Sequence, residues 1–158
     1  ENFIKTVDIE MRAGKIFING EDVTPFLRSK EVTETVSPIS NSIPIRKKVN
    51  EFLNVYAERR SIIMDGRDIG TVVFPRADYK FYMDASVDIR AKRRFEEKTT
   101  DMSLEDIKLS IEKRDANDKA KPFGALKIAE DAIYLDTTNL SIDEVVDNIL
   151  KIIKYNGV

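Results

Sequence analysis

The sequence predicts an α/β fold in which helices flank a parallel sheet. Three apolar runs, at residues 61–64, 79–83 and 132–135, each end in a carboxylate, and helical patterns follow the second and third runs. Upstream, residues 7–23 alternate apolar and polar side chains between turn signals, which predicts a small antiparallel β meander. The patterns together indicate a parallel α/β core with a β meander beside it.

The composition limits the chemistry that this chain can perform. Its 158 residues are 42% hydrophobic and 34% charged, with a formal net charge of −2, which fits about one soluble domain. Because cysteine and histidine are both absent, a disulfide framework, thiolate or imidazole metal sites and a Ser-His-Asp triad are excluded for this chain. No apolar run reaches the length of a membrane span. We expect a cytoplasmic protein, and we expect it to be a monomer.

Local signals place the elements of the first half. The Asn19–Gly20 pair is a strong hairpin-turn signal. Ser29 is expected to cap a helix through Val36, which the Ser37–Pro38 pair interrupts. A second helix is expected after Ser42 and should end near residues 59–60. Its apolar stripe predicts a face packed in the core: Val49, Phe52, Leu53 and Tyr56.

Serines place the helices of the second half. Ser86 can cap a helix that runs to about Lys98, and Ser103 opens another helix with an acidic first turn. Ser141 and Glu144 form a capping box at the start of a closing helix. That helix carries one apolar face, which consists of Val145, Ile149, Ile152 and Ile153.

The segment Asp65-Gly66-Arg67-Asp68 is the strongest candidate for a functional site. It follows the first apolar run, which predicts a buried strand whose tip carries two carboxylates and a guanidinium. Ligands of open α/β sheets bind at the carboxyl ends of strands. Burying Arg67 between Asp65 and Asp68 without a ligand is energetically unfavourable, so we interpret this tip as part of a binding site.

Basic residues supply the second candidate. Arg90 and Arg94 lie four residues apart in a helical pattern and therefore share a face. Planar cations with several donors suit phosphate, but a nucleic-acid surface or a solvated face also fits this helix. Arg114 and Asp118 have the same spacing on the next helix. They form either a surface ion pair or a pair that binds a phosphate and a hydroxyl.

Several stretches together resemble the signature of bacterial cytidylate kinases. The longest is residues 64–75, which read Met-Asp-Gly-Arg-Asp-Ile-Gly-Thr-Val-Val-Phe-Pro. The other matching stretches are residues 19–24, 27–32, 83–86, 90–94, 114–115 together with 118, 129–133 and 135–138. Because they occur in the family's order and cover nearly the whole chain, the resemblance is specific.

The resemblance implies a P-loop nucleoside monophosphate kinase fold that transfers the γ-phosphoryl group of ATP to CMP or dCMP. It divides the chain approximately into a monophosphate-binding region with the β insert (6–50), a core (51–90 and 126–158) and a lid with flanking helices (91–125). The implied partners are these small molecules, not nucleic acid or a membrane. Magnesium is expected to arrive with ATP, with no metal ligand among the site residues.

The resemblance also implies roles for individual residues. Cytosine is expected to contact Ser37, Arg46 and Asp68, since an arginine can donate to the base carbonyl and an aspartate can accept from the amine. Arg90 and Arg94 are expected to bind ATP. Arg94 and Arg114 are expected to stabilise the transferring phosphoryl group. The remaining substrate contacts implied are Arg67, Arg114, Asp118 and Lys121.

The chain departs from the family's pattern in three places. Lys121 stands where an arginine is usual, which keeps the charge but loses the guanidinium fork, and Ala125 replaces a usual proline. The opening strand and Gly-rich phosphate loop of the family have no counterpart in this sequence. We therefore expect the biological protein to contain a further N-terminal segment.

Two other functions are open at this point. The chain could be a catalytically inactive nucleotide-binding or interaction module that lacks a phosphate loop. It could also be an RNA-binding domain that uses the basic helix at residues 90–94, which predicts steeply salt-dependent RNA binding. A Gly-rich loop ending in Gly-Lys-Ser/Thr upstream of Glu1 would favour the kinase over the module.

Overall fold

The polypeptide adopts the predicted α/β mixture, with a parallel strand pair, a separate antiparallel sheet and helices. The computed structural model describes residues 6–58, 60–98 and 101–155, apart from the side chains of residues 34, 37, 38 and 155. Two units are each internally packed, residues 1–64 and residues 65–158. The β insert lies in the first unit and the parallel strands lie in the second.

The predicted meander is present as strands β1 (Ile9–Arg12), β2 (Lys15–Ile18) and β3 (Glu21–Asp22), which pair antiparallel in that order. The Ala13–Gly14 turn has φ values of 50° and 72°, and the Asn19–Gly20 turn has values of 51° and 83°. Two successive positive φ angles are the conformation of a type I′ turn, whose twist matches that of the paired strands. The turn signals in the sequence therefore set the register of this sheet.

Asp22 gives the meander a stability that depends on pH. Its carboxylate accepts hydrogen bonds from Lys15 Nζ at 2.7 Å and from the backbone N–H of Thr24 at 3.0 Å, and such bonds lower the pKa of Asp22 from 3.8 to about 2. A carboxyl with a depressed folded-state pKa stabilises the fold above its unfolded pKa and loses that contribution as the pH falls. We expect Asp22→Asn to lower the urea midpoint at neutral pH, and this difference from wild type should shrink between about pH 4 and pH 2. Urea unfolding followed by circular dichroism measures it, and a difference independent of pH would contradict the ion-pair explanation.

Two helices follow in the first unit, α1 (Lys30–Ile39) and α2 (Ile43–Ala57). Ser29 caps α1 as predicted, because its hydroxyl accepts a backbone hydrogen bond of 3.3 Å. The predicted interruption at Ser37–Pro38 is wrong, since α1 continues to Ile39. Pro38 lies in the last turn, where its missing N–H removes a single helical hydrogen bond, and the helix ends one residue later. The helix α2 starts after Ser42 as predicted.

The parallel pair consists of β4 (Phe81–Asp84) and β5 (Ile133–Asp136). Phe81 lies opposite Ile133, and Asp84 lies opposite Asp136. Both strands fall within about two residues of their predicted positions. Because the strands run parallel, their carboxyl ends lie at the same edge, and both aspartates stand there.

The predicted helices of the second half are also present, as α3 (Val87–Glu96), α4 (Leu104–Ala120) and α5 (Ile142–Tyr155). Each begins after its predicted capping serine. The hydroxyl oxygens of these serines, Ser86, Ser103 and Ser141, each accept a backbone hydrogen bond from the first turn of the helix. Within the described ranges, no helix is both long and apolar enough to cross a membrane.

The core of the second unit lies between α3 and α4. Ala91 and Ile107 are each 1% exposed, and Ile111 and Val87 pack against them. Burying a side chain such as Ile107 contributes about 1.5–3 kcal/mol, so this contact holds the two helices together. The same two helices carry most of the arginines that the sequence analysis selected.

The segment before the charged tetrapeptide is not the buried strand that its apolar pattern predicts. Residues 61–65 belong to no ladder in the described part of the chain, and Ile63 is fully exposed. A strand is stabilised by hydrogen bonds to a neighbouring strand, and no described strand pairs with this run. Apolar periodicity alone therefore does not determine whether this segment pairs into a sheet.

Candidate active site

A π-helical turn at Ile69–Val73 positions Asp68. The carbonyl oxygen of Asp68 accepts a hydrogen bond of 2.8 Å from the N–H of Val72, and Phe74 N–H donates to the Ile69 carbonyl at 2.7 Å. Asp68 is 6% exposed at the start of this turn. Such turns are rare and frequently mark functional sites. The sequence analysis did not predict it, because a β-branched run carries no local signal for a π turn.

Arg67 is not buried between Asp65 and Asp68 as the sequence analysis assumed. Its side chain is 43% exposed, and its Nε lies 3.0 Å from Oδ2 of Asp118 on α4. The guanidinium is therefore paired with a carboxylate about fifty residues away in the sequence instead of with its neighbours. This pairing brings together two predicted site residues from different motifs.

Asp118 is the centre of a cationic cluster. It is 5% exposed, and three cations surround its carboxylate: Arg67, Arg114 and Lys121. Lys121 Nζ lies 2.8 Å from Oδ1, whereas Arg114 Nε lies 3.9 Å from Oδ2. The backbone carbonyl of Asp118 also accepts a 2.8 Å bond from Leu126, which fixes this end of α4 to the following loop.

The charge balance of this cluster favours an anion. One buried carboxylate faces three cations, so positive charge is in excess, and the side chains of Arg67 and Arg114 are 43% and 62% exposed. Guanidinium groups bind phosphate oxygens through parallel N–H donors. The Oδ2 atom of Asp118 is buried and accepts no hydrogen bond from any described residue, although Arg67 Nε lies 3.0 Å from it as an ion-pair partner.

Arg90 and Arg94 differ in their surroundings although they share a helix face. Arg90 Nη2 lies 2.8 Å from Oδ2 of Asp115 on α4, and its Nε donates to the carbonyl of Ala85 at 2.9 Å. Arg94 is exposed and forms no ion pair with the residues in the described ranges. Arg90 thus links α3 to α4, whereas the Arg94 guanidinium is accessible to a ligand.

The two other predicted base contacts lie in the first unit. Arg46 stands in the first turn of α2 and is half-buried. Ser37 lies on α1, but its side chain is outside the described part of the structure. The cluster around Asp118 consists of residues of the second unit.

The aspartates at the strand tips take part in local hydrogen bonding. Asp84 accepts a 2.8 Å bond from the hydroxyl of Tyr134, which raises the pKa of that tyrosine, and Asp136 accepts one from the N–H of Thr138 at 2.9 Å. Arg93 donates to the carbonyl of Thr137 at 2.6 Å. These contacts organise the loop after β5. Sequence reasoning missed the role of Arg93, because its partner lies 44 residues away and no local pattern links the two.

No metal centre is evident in the structure as described. Within residues 6–58, 60–98 and 101–155, no three Asp, Glu, His or Cys side chains group closely enough to hold an ion.

Comparison with known proteins identifies the family. A family model described as cytidylate kinase matches residues 1–155. A cytidylate kinase of Lactobacillus johnsonii is 47% identical over 154 residues, which cover 94% of this chain and 67% of that protein. A cytidylate kinase of Lactobacillus gasseri is 46% identical, again over 94% of this chain and 67% of that protein. A cytidylate kinase of a Geobacillus species is 42% identical over 96% of this chain and 71% of that protein.

These matches confirm the resemblance that the motifs indicate. They extend over nearly the whole chain, and the mixed α/β architecture agrees with the P-loop kinase fold of the family. The chain belongs to the cytidylate kinase family, a family of nucleoside monophosphate kinases.

Proposed function

We propose that this protein transfers the γ-phosphoryl group of ATP to CMP or dCMP, giving CDP or dCDP. The observation that supports this most strongly is the cluster around Asp118, in which residues of two separate motifs form one cationic site. Relatives named cytidylate kinase support the choice of a cytosine nucleotide as acceptor. The predicted domain boundaries, monomeric state and cytoplasmic location stay predictions.

The phosphate of the acceptor nucleotide is proposed to bind between Arg67 and Arg114, with Lys121 beside them. A phosphate monoester carries nearly two negative charges at neutral pH and offers three acceptor oxygens. Asp118 lies at the centre of the cluster, close to each cation, and holds Arg67 and Lys121 before the ligand arrives. Preorganisation of this kind reduces the entropy that binding has to overcome. Asp118 is also proposed to contact a sugar hydroxyl of the nucleotide.

Base recognition is assigned to Asp68, together with Arg46 and Ser37. A carboxylate accepts a hydrogen bond from the exocyclic amine of cytosine, whereas uracil presents a carbonyl at that position. Asp68 is held by the π turn and is 6% exposed, so a repulsive contact with uracil would be poorly relieved by water. The arginine at position 46 supplies donors for the base carbonyl.

Phosphoryl transfer is assigned to positioning and charge neutralisation by arginines. Arg94 and Arg114 are proposed to contact the transferring group, and Arg90 and Arg94 to contact ATP, with residues 91–125 acting as a lid that excludes water. Arg94 is accessible for this role. Magnesium is proposed to enter with the ATP phosphates, where it would neutralise charge.

A coupled ADP-release assay on the full-length protein tests the proposal. CMP and dCMP should be phosphorylated with kcat/KM values at least tenfold above those for UMP and AMP. Equal rates with all four acceptors would contradict the cytosine assignment. Binding of CMP without ADP release would instead support the inactive nucleotide-binding module.

A further inference from the structure

We propose that Lys80 is a positioning residue that holds Asp68 in place and thereby sets the preference for cytosine over uracil. Lys80 does not belong to the predicted site, and among the described residues its ammonium group donates to Pro75 and Asp131. It acts on the π turn that follows Asp68. This inference rests on the proposed function, since it concerns the base discrimination of that same site.

The ammonium group of Lys80 is anchored at three points. Nζ donates to both carboxylate oxygens of Asp131, at 2.8 Å and 2.6 Å, and to the backbone carbonyl of Pro75 at 2.6 Å. An ammonium has three donors, so this arrangement uses all of them. The side chain of Lys80 is 7% exposed, whereas that of Asp131 is 64% exposed. The Lys80 side chain is therefore buried and held by three hydrogen bonds, whereas its partner Asp131 faces the solvent.

The stem of Lys80 packs against the π turn itself. A Cβ atom placed on Gly70 would lie 3.2 Å from Lys80 Cδ and 3.5 Å from Cγ. The first distance is tighter than ordinary van der Waals contact, so glycine at position 70 allows the turn to rest directly on the lysine stem. Lys80 thus contacts the turn near its start through the stem and just beyond its end through Nζ.

The turn transmits this constraint to Asp68. The carbonyl oxygen of Asp68 accepts hydrogen bonds from the N–H group of Val72 at 2.8 Å and from those of Thr71 and Val73 at 3.3 Å. Asp68 is therefore the first residue of a short closed segment of backbone whose other end, Pro75, is fixed by Lys80. When the far end of such a segment is released, its first residue gains positional freedom. Displacing a group that contacts the substrate by about 1 Å can lower activity by about 100-fold.

The electrostatics agree with an anchoring role. The Lys80 hydrogen bonds hold the pKa of Asp131 below its ordinary value of 3.8, so the Asp131 carboxylate that faces Lys80 is ionised at neutral pH. Asp131 lies in the loop directly before β5, and the N–H of Ile133 donates to the Lys80 carbonyl at 2.8 Å. Lys80 therefore links the π turn to the parallel strand pair.

The test replaces Lys80 with methionine, which keeps the stem and removes Nζ. With equimolar CMP and UMP competing for ATP, the ratio of CDP to UDP reports the ratio of the two kcat/KM values. We expect Lys80→Met to lower this ratio about tenfold while the KM for ATP changes less than twofold. Lys127→Met, the same substitution at an exposed lysine, should leave the ratio unchanged.

A second variant distinguishes a specific effect on the CDP-to-UDP ratio from a folding defect. Asp131→Asn removes charge from the exposed partner and should lower the ratio by a smaller factor, about threefold. If both variants lose activity but keep the wild-type ratio, Lys80 is only structural and the inference is wrong. The wild-type arm reports separately on the proposed function, because a wild-type protein without preference for CMP would contradict both that function and this inference.

Discussion

Arg114→Ala is expected to lower kcat/KM for CMP by a factor on the order of 10³, chiefly through kcat. An arginine that stabilises a transferring phosphoryl group contributes about 10³–10⁵ in rate. The Arg114 side chain is 62% exposed and lies 3.9 Å from Asp118, so it is loosely held and can reach a ligand. Because an exposed ion pair contributes about 1 kcal/mol or less, the variant should remain folded. Steady-state kinetics with CMP and ATP measure the effect.

The matched control for this prediction is Lys113→Ala. Lys113 precedes Arg114 on α4, is exposed, and loses the same formal charge when replaced. It should change kcat/KM less than threefold. A comparable loss in both variants would indicate that the net charge of α4 matters and that Arg114 has no specific contact with the reacting group.

Asp68→Ala is expected to raise the dissociation constant of CMP about 100-fold and to leave that of ATP nearly unchanged. A hydrogen bond to a charged group contributes about 1.5–3 kcal/mol, and a buried carboxylate is poorly replaced by water. Asp68→Asn should in addition reduce the discrimination against UMP, because an amide can donate to the uracil carbonyl. Isothermal titration calorimetry with each nucleotide measures both effects.

The control for the Asp68 variants is Asp78→Ala, which removes an exposed carboxylate after the π turn. CMP affinity should be unchanged in that variant. Equal losses of CMP and ATP affinity in Asp68→Ala would mean that the substitution disturbs folding of the turn, and the assignment of Asp68 to the base would then be wrong.

Local chemistry explains the parts of the fold that could be predicted. Capping serines, the Asn19–Gly20 turn and the apolar stripe of α5 act within a few residues, so their signals are readable in sequence. The strand predicted at residues 61–64 failed because a ladder depends on a neighbouring strand. The helix α1 includes Pro38 because a proline in the last turn has little effect on the turns before it.

The candidate site was predictable in its residue types but not in its connections. Arg67, Arg114 and Asp118 were identified through motif spacing and family resemblance. The two arginines meet at the buried Asp118 carboxylate only because α4 packs against the segment before the π turn, and no local sequence pattern contains that information. The same reasoning explains why Lys80 was overlooked, since its partner Asp131 lies 51 residues further along the chain.

The acceptor is proposed to be a cytosine nucleotide whose base hydrogen-bonds to Asp68 and whose phosphate binds to the cationic cluster around Asp118. The most direct test gives the full-length wild-type protein limiting ATP with equimolar CMP and UMP, and separates the products by ion-exchange chromatography. The account predicts that CDP forms in at least tenfold excess over UDP. Equal amounts of CDP and UDP, or UDP in excess, would contradict it.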